Sequence, residues 1–272
     1  MSVLETTICL GIGDNIVVRM YMDMIKHNYS CIRISHDKHV LRDFRGNDPK
    51  WINFLDNIGN LLFSEPPYQF THTQYGPVQT HHMIVNLGVK IKKPNIDHLL
   101  CHGTPLNIGE EYIIITTKIR ALPKMFLYTI MHKFWRTLKK LSTKYKIVIM
   151  GEREVEKSKE YAPFSNTIFG IYEQIICNVP PDRVVDLTVP ALGVSVPDLG
   201  KIQQDCLIMK NAKFVISFGI GGNLWMASAV ANVIGFRNDN DDTTDVIANP
   251  EFTSLYLTKN WDDFIHKLES QL

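Results

Sequence analysis

The sequence predicts an α/β protein with two Rossmann-like domains, each built on a parallel sheet, facing a central cleft. Three observations carry this reading. TTICLGIGDNIVVRM (6–20) runs from an apolar strand through a glycine turn into a helix start. KFVISFGIGGNLWMASAVA (213–231) does the same. Between them strand-like and helix-like runs alternate, which gives parallel sheets covered on both faces. Such sheets bind ligands at the carboxyl ends of their strands. A strand–glycine–helix unit there presents bare backbone N–H groups at the positive end of a helix. Two such units fit an activated, phosphorylated donor in one half and an acceptor in the other.

The elements follow in order. Residues 6–10 read as a buried strand. Residues 15–27 read as a helix, because Ile16, Val17, Met20, Met24 and Ile25 recur at helical spacing and Asn28 can end it. CIRIS (31–35) is the next strand, WINFLDNIGNLLF (51–63) a helix or helical hairpin, and MIVNLGV (83–89) a third strand-like run. The polar, aromatic stretch 64–82 between the last two reads as a long functional loop. Residues 92–111, with two prolines and two glycines, mark the domain boundary. This gives an N-terminal acceptor domain over 1–105 and a C-terminal donor domain over 106–257. The second series holds YIIIT (112–116), a long helix over about 124–144 and KIVIMG (146–151). IYEQIIC (171–177), VVDLT (184–188), a helix near 198–211 and KFVIS (213–217) follow. A helix near 222–232, VIGF (233–236) and the amphipathic segment WDDFIHKLESQL close it.

Composition excludes several classes. The net charge of +1 supplies no global field toward nucleic acid or an acidic membrane. No run approaches the roughly 18 apolar residues of a membrane span, and no signal-peptide pattern opens the chain. Five cysteines without a CxxC pair read as reduced core residues, which places the protein in the cytoplasm. The basic helix with Lys124, Lys133, Arg136, Lys139, Lys140 and Lys144 reads as a solvated face, with membrane contact as the sharper alternative.

Lys118, Arg120 and Arg153 each follow a strand of the second series, where phosphate would sit. Fixed cations there can stabilise the charge growing on a leaving diphosphate; ordinary surface placement is the alternative. Gly151 and Thr188 end two of those strands and join the donor set. Gly219, Gly221, Gly222 and Asn223 can offer N–H groups to the same diphosphate, or serve close packing of strand on helix. Tyr68, His72, Tyr75, His81 and His82 crowd the long loop. With Gly13 they form a candidate acceptor surface, since aromatic rings suit sugar faces; loop packing explains them equally well. Asp14 follows Gly11 and Gly13 and reads either as a helix cap or as a general base. G-I-G-D-N-I with Asp37 downstream also matches part of a dinucleotide fingerprint, although Ile16 stands at its third glycine. No metal site is expected: H-D-K-H (36–39) and His81–His82 lack persuasive spacing, and NDNDDTTD (238–245) lacks the glycine of an EF-hand loop.

Several of these pieces resemble one family. LGIGDNIVV is similar to the N-terminal "GD" turn of heptosyltransferase-type (family 9-like) glycosyltransferases. IIITTK (113–118), IVIMGERE (147–154), VVDLT, VPDLGKIQQDCLIMKNAKFVIS and GIGGNLWMASA resemble their C-terminal domain in order and spacing. The resemblance implies a GT-B fold and inverting, metal-independent sugar transfer from a nucleoside diphosphate, without a cofactor. It makes Asp14 the general base and packs residues 258–272 back on the N-terminal domain. Ser217 and Phe218 stand where the family usually has an acidic residue, and Asn223 where it often has His, which argues against heptose. The short chain resembles compact virus-encoded enzymes of capsid glycan synthesis, so UDP-xylose is the first donor to consider and a glycan or glycoprotein the acceptor. A non-catalytic nucleotide- or glycan-binding protein and an NAD-dependent oxidoreductase are the alternatives.

Overall fold

The computed structural model describes residues 2–9, 11–37, 49–62, 68–71, 78–79, 104–117, 131–151, 171–189, 199–218, 222–236 and 254–272. The chain divides into two compact units. The first comprises Met1–Thr104, Val194–Leu207 and Asp242–Thr253; the second comprises Pro105–Gly193, Ile208–Asp241 and Ser254–Leu272.

In the first unit β1 (Ser2–Cys9) leads to α1 (Ile12–Ile25), β2 (Tyr29–Asp37) and α2 (Pro49–Leu62). Two short strands, β3 (Tyr68–Thr71) and β4 (Val78–Gln79), complete a four-stranded parallel sheet in the order β3-β2-β1-β4. Both lie inside the stretch expected as one long loop. Their ladders are supplied by the long central strands, so a run too short and polar to announce itself is still held in register. The expected strand 83–89 lies outside the described residues. Ile8, Ile32 and Ile34 are buried in this sheet, and Ile16, Val17, Val18, Met20 and Met22 bury α1.

The second unit is a six-stranded parallel sheet. β5 (Tyr112–Thr116) is followed by α3 (Met131–Lys144), β6 (Lys146–Met150), α4 (Ile171–Asn178) and β7 (Val184–Asp186). Then come α5 (Leu199–Asn211), of which the part up to Leu207 is grouped with the first unit, β8 (Val215–Phe218), α6 (Gly222–Val230) and β9 (Val233–Phe236). β10 (Leu255–Thr258), a strand the sequence reading misses, and α7 (Trp261–Glu269) close the chain. The order β10-β9-β8-β5-β6-β7 is that of a doubly wound dinucleotide-type sheet, with the winding direction reversing between β5 and β8. The first sheet repeats the start of that pattern, reversing between β1 and β4.

Strand alternation divides the second unit into two layers. One face carries Ile113, Ile115, Ile147, Ile149, Ile216 and Phe218. Against it pack Phe134, Leu138 and Leu141 of α3, Ile175 of α4, and Trp261, Phe264 and Leu268 of α7. The opposite face carries Ile114, Val148 and Val215, all fully buried, and α6 packs on β8 and β9. Asn260 caps α7, its side chain accepting from the backbone N–H groups of Asp262 and Asp263. This last helix is grouped with the second unit. Its apolar stripe Trp261–Phe264–Ile265–Leu268 completes that unit's own core, since the sheet face beside α3 would otherwise be left open over β9. At the amino ends of the strands Glu110 bridges Arg183 at 2.5 Å and Lys146 at 3.4 Å. The hydrogen bond from Arg183 is the main reason its carboxyl titrates below the usual range.

Phe264 is fully buried, with its ring centroid 5.6 Å from that of Phe218 and 5.3 Å from that of Trp261. Phe264→Ala should therefore cost the second unit about 3–5 kcal/mol, read as a lower midpoint in chemical denaturation.

Candidate functional site

Both candidate regions sit at carboxyl edges of parallel sheets. In the second unit the reversal point lies between β5 and β8. Their carboxyl ends meet through hydroxyls: Thr116 Oγ1 donates toward Ser217 Oγ at 3.4 Å and the Ile216 carbonyl at 3.5 Å. Thr116 and Ser217 are both buried. Phe218, the next residue, points the other way into the aromatic core, 5.2 Å from Phe134. The Ser217–Phe218 pair is thus one hydroxyl at the reversal point and one core ring.

Beyond β6 the chain opens at Gly151, whose φ of 113° lies where side-chain-bearing residues rarely go. Its carbonyl accepts from Val189 N–H at 2.9 Å, and the Met150 carbonyl accepts from Thr117 N–H at 2.9 Å. These bonds carry the ladder one step past the strand ends. Thr188 is fixed by Asp186, which accepts from its N–H at 2.9 Å and from its Oγ1 at 2.5 Å. The second oxygen of Asp186 accepts from the Tyr172 hydroxyl at 2.7 Å. α6 starts at Gly222, four residues after β8 ends, with half-buried Asn223 as its second residue. The described part of the rim is therefore Thr116, Thr117, Gly151, Thr188, Ser217 and the first turn of α6, with one carboxylate, Asp186, engaged by Thr188 and Tyr172. Lys118, Arg120, Arg153, Gly219 and Gly221 lie outside the described residues. Tyr172, Asp186, Thr116 and Thr117 were missed as site-forming residues. The hydroxyl run Thr116–Thr117 at the end of an all-apolar strand was their signal.

In the first unit the helix cap is Gly11, in extended conformation with φ −80° and ψ 139°. Asp14 is not the cap but the third residue of α1, inside its first turn, because Gly11 takes the flanking role. Asn15 secures the turn: its backbone N–H and its Nδ2 both donate to the Gly11 carbonyl, at 3.1 and 2.8 Å. Gly13 is the second helical residue and half-buried. The side chains of Asp14 and Tyr68, and residues His72, Tyr75, His81 and His82, lie outside the described residues.

The adjoining strand adds a pair that the sequence reading did not assign. Ile8 stands opposite His36, and Cys9 opposite Asp37, the last rung of the β1–β2 ladder. His36 has a side chain only 1% exposed, and its Nε2 lies 2.7 Å from Asp56 Oδ1 on α2. A carboxylate only accepts, so this nitrogen carries the hydrogen. Nδ1 is buried and has no hydrogen-bond partner among the described residues. One residue back, on the opposite face, Thr7 and Ser35 join hydroxyls at 2.9 Å. In the sequence His36 stands out only as part of H-D-K-H, and Asp56 not at all. Their pairing joins a strand to a helix twenty residues later, beyond the reach of any spacing rule.

Among the described residues, no group of three or more His, Cys, Asp or Glu could hold a metal ion. No helix there is long and apolar enough to cross a membrane. Cys206 is buried beside Asp205, and burial pushes its thiol up to about 12, so it serves packing rather than chemistry.

No protein-family model and no curated protein sequence matches this chain. Its architecture does match solved structures. The bacterial iron-containing dodecameric glycosyltransferase TibC from enterotoxigenic E. coli H10407 is similar with a TM-score of 0.51 at 14% identity. That match covers 97% of this chain and 65% of TibC. The dodecameric iron-containing heptosyltransferase TibC in complex with ADP-D-β-D-heptose gives 0.50 at 14% identity, over 97% and 66% of the two chains. The chain thus spans about two thirds of the length of these proteins. The E. coli ADP-heptose LPS heptosyltransferase II covers 100% of this chain and 99% of its own at 9% identity, with a TM-score of 0.46. This protein therefore has a glycosyltransferase-like α/β fold with parallel sheets, as expected for the GT-B class.

Gly151→Ala places a Cβ on a backbone held at positive φ by the Val189 bond. It should destabilise the second unit by about 1–3 kcal/mol, measured as a lower thermal midpoint.

Proposed function

We propose that this chain is an inverting, metal-independent glycosyltransferase. It moves a sugar from a nucleoside-diphosphate donor to a glycan hydroxyl in the cytoplasm, and UDP-xylose is the first donor to test. The observation that carries this reading is the pair of parallel sheets. Each reverses its winding at a point where a strand runs through glycines into a helix, and together they have the fold of a glycosyltransferase. A neighbour of that fold takes ADP-heptose, which supports a nucleotide sugar as the donor class here.

In this proposal the second unit binds the donor. Lys118, Arg120 and Arg153 lie two to four residues past the ends of β5 and β6 in the sequence. Their cations meet the diphosphate while the backbone of 219–223 donates N–H groups to it. Gly151 and Thr188 shape the wall beside it. The first unit binds the acceptor near Gly13 and the Tyr68–His82 stretch. As the acceptor oxygen attacks the anomeric carbon, the bond from that carbon to the diphosphate oxygen breaks. The bonding pair leaves with the diphosphate, and Asp14 takes the hydroxyl proton.

One observation favours a second reading. Asp37 ends β2 beside the Gly11–Gly13 turn, where a ribose-binding acid of a nicotinamide enzyme would stand. Against it, Ile16 occupies the third glycine position and is packed in the core. A thermal-shift panel of UDP, GDP, ADP and NAD separates the two, since a binder raises the midpoint by mass action.

Asp14→Asn should lower the transfer rate by roughly 10²–10⁴-fold with nucleotide binding retained; unchanged turnover removes Asp14 from the mechanism. Arg153→Ala should weaken binding of the free nucleoside diphosphate in calorimetry, whereas a change confined to the acceptor constant would reverse the assignment of the two units.

A further inference from the structure

The His36–Asp56 pair is costly as a purely structural feature. Leaving a buried hydrogen-bonding atom without a partner sacrifices the free energy of its lost hydration, typically about 1–3 kcal/mol. Native proteins keep few such atoms, and those they keep call for a reason. Nδ1 of His36 is one: the side chain is 1% exposed, so bulk water does not reach it, and no described residue bonds it. The other ring nitrogen is fully used, because Asp56 takes its hydrogen at 2.7 Å. In the neutral ring that bond puts the hydrogen on Nε2 and leaves the lone pair on Nδ1. A carboxylate that orients an imidazole so that the far nitrogen faces its target is a recurring way of preparing a histidine for a hydroxyl.

Position adds a second line. His36 is one residue from the carboxyl end of β2, on the strand beside β1, and Ile8 is its register partner. Three residues after Ile8, Gly11 caps α1 without a side-chain hydrogen bond of its own. The unpaired nitrogen and the glycine-capped helix start thus share one edge of one sheet, the edge at which parallel α/β sheets bind ligands.

We propose that His36 is a further acceptor-binding residue, its Nδ1 receiving a hydrogen bond from a hydroxyl of the sugar acceptor at the Gly11–Asp14 turn. Asp56 is its positioning residue. The proposal rests on the glycosyltransferase reading and names a residue for the acceptor side of that site.

His36→Gln tests it, because the glutamine amide can keep an N–H for Asp56 while removing Nδ1. Wild type and variant are compared with UDP-xylose as donor and a panel of methyl glycosides as acceptors. The expected result is a thermal midpoint within about 2 °C of wild type, UDP affinity unchanged, and an acceptor KM raised about tenfold or more. Transfer at wild-type efficiency overturns the proposal. So does a loss of transfer matched by an equal loss of folded protein, which would make the histidine a packing residue. A wild type that transfers no sugar from any UDP-, GDP- or ADP-linked donor overturns the glycosyltransferase reading instead. Imidazole nitrogen NMR then decides the role of His36. An Nδ1 signal that moves when a methyl glycoside is added, in a ring protonated at Nε2, supports it. A signal indifferent to the whole panel overturns it.

Discussion

The parallel pairing of β5 with β8 is the constraint on which the second unit rests. Ile114 and Ile115 align with Val215 and Ile216 across about a hundred residues of sequence. Among the described residues three helices, α3, α4 and α5, lie between these strands in the chain, and they must be accommodated before those rungs can form. Once they form, the alternation of buried side chains is set. Ile113, Ile115 and Ile216 face α3 and α7, while Ile114 and Val215 face the other layer. Phe218 is drawn into the aromatic cluster by this alternation, and Ser217 is left beside Thr116. The chemistry of the carboxyl edge is therefore a by-product of where a packing register ends.

The two edges differ in a way that fits different partners. That of the second unit carries, in its described part, hydroxyls, backbone groups, a glycine at positive φ and the Asp186 carboxylate bonded by Thr188 and Tyr172. Anions are well served by such surfaces when cations follow just beyond the strands. The edge of the first unit is richer in buried side-chain hydrogen bonding. Asn15 ties down the helix cap, Thr7 joins Ser35, and His36 joins Asp56. Polar groups placed inside a core in this way fix geometry more than they add stability. A surface that must present one hydroxyl in one orientation requires such fixing.

The aromatic cluster of Phe134, Phe218, Phe236, Trp261 and Phe264 explains why the last helix stays with the second unit. A helix carrying Trp261, Phe264, Ile265 and Leu268 on one stripe needs an apolar face, and β8 and β9 supply one. The stripe is readable in the sequence; which face it meets is not, because two sheets with exposed flanks compete for it until the strand order is known.

The same division runs through the whole molecule. The amino-acid sequence by itself determined the alternation of strands and helices, the glycine turn that opens α1 and the amphipathic end. Each of these is a local matter of period, glycine freedom and turn chemistry. Only the tertiary structure decided that Tyr68–Thr71, Val78–Gln79 and Leu255–Thr258 are strands, since a short edge strand is made by its neighbour's hydrogen bonds more than by its own residues. It also decided that Gly11 rather than Asp14 caps α1, and that His36 meets Asp56. Those contacts depend on where a helix crosses a sheet, a quantity set by the packing of distant apolar faces and invisible in the spacing of residues along the chain.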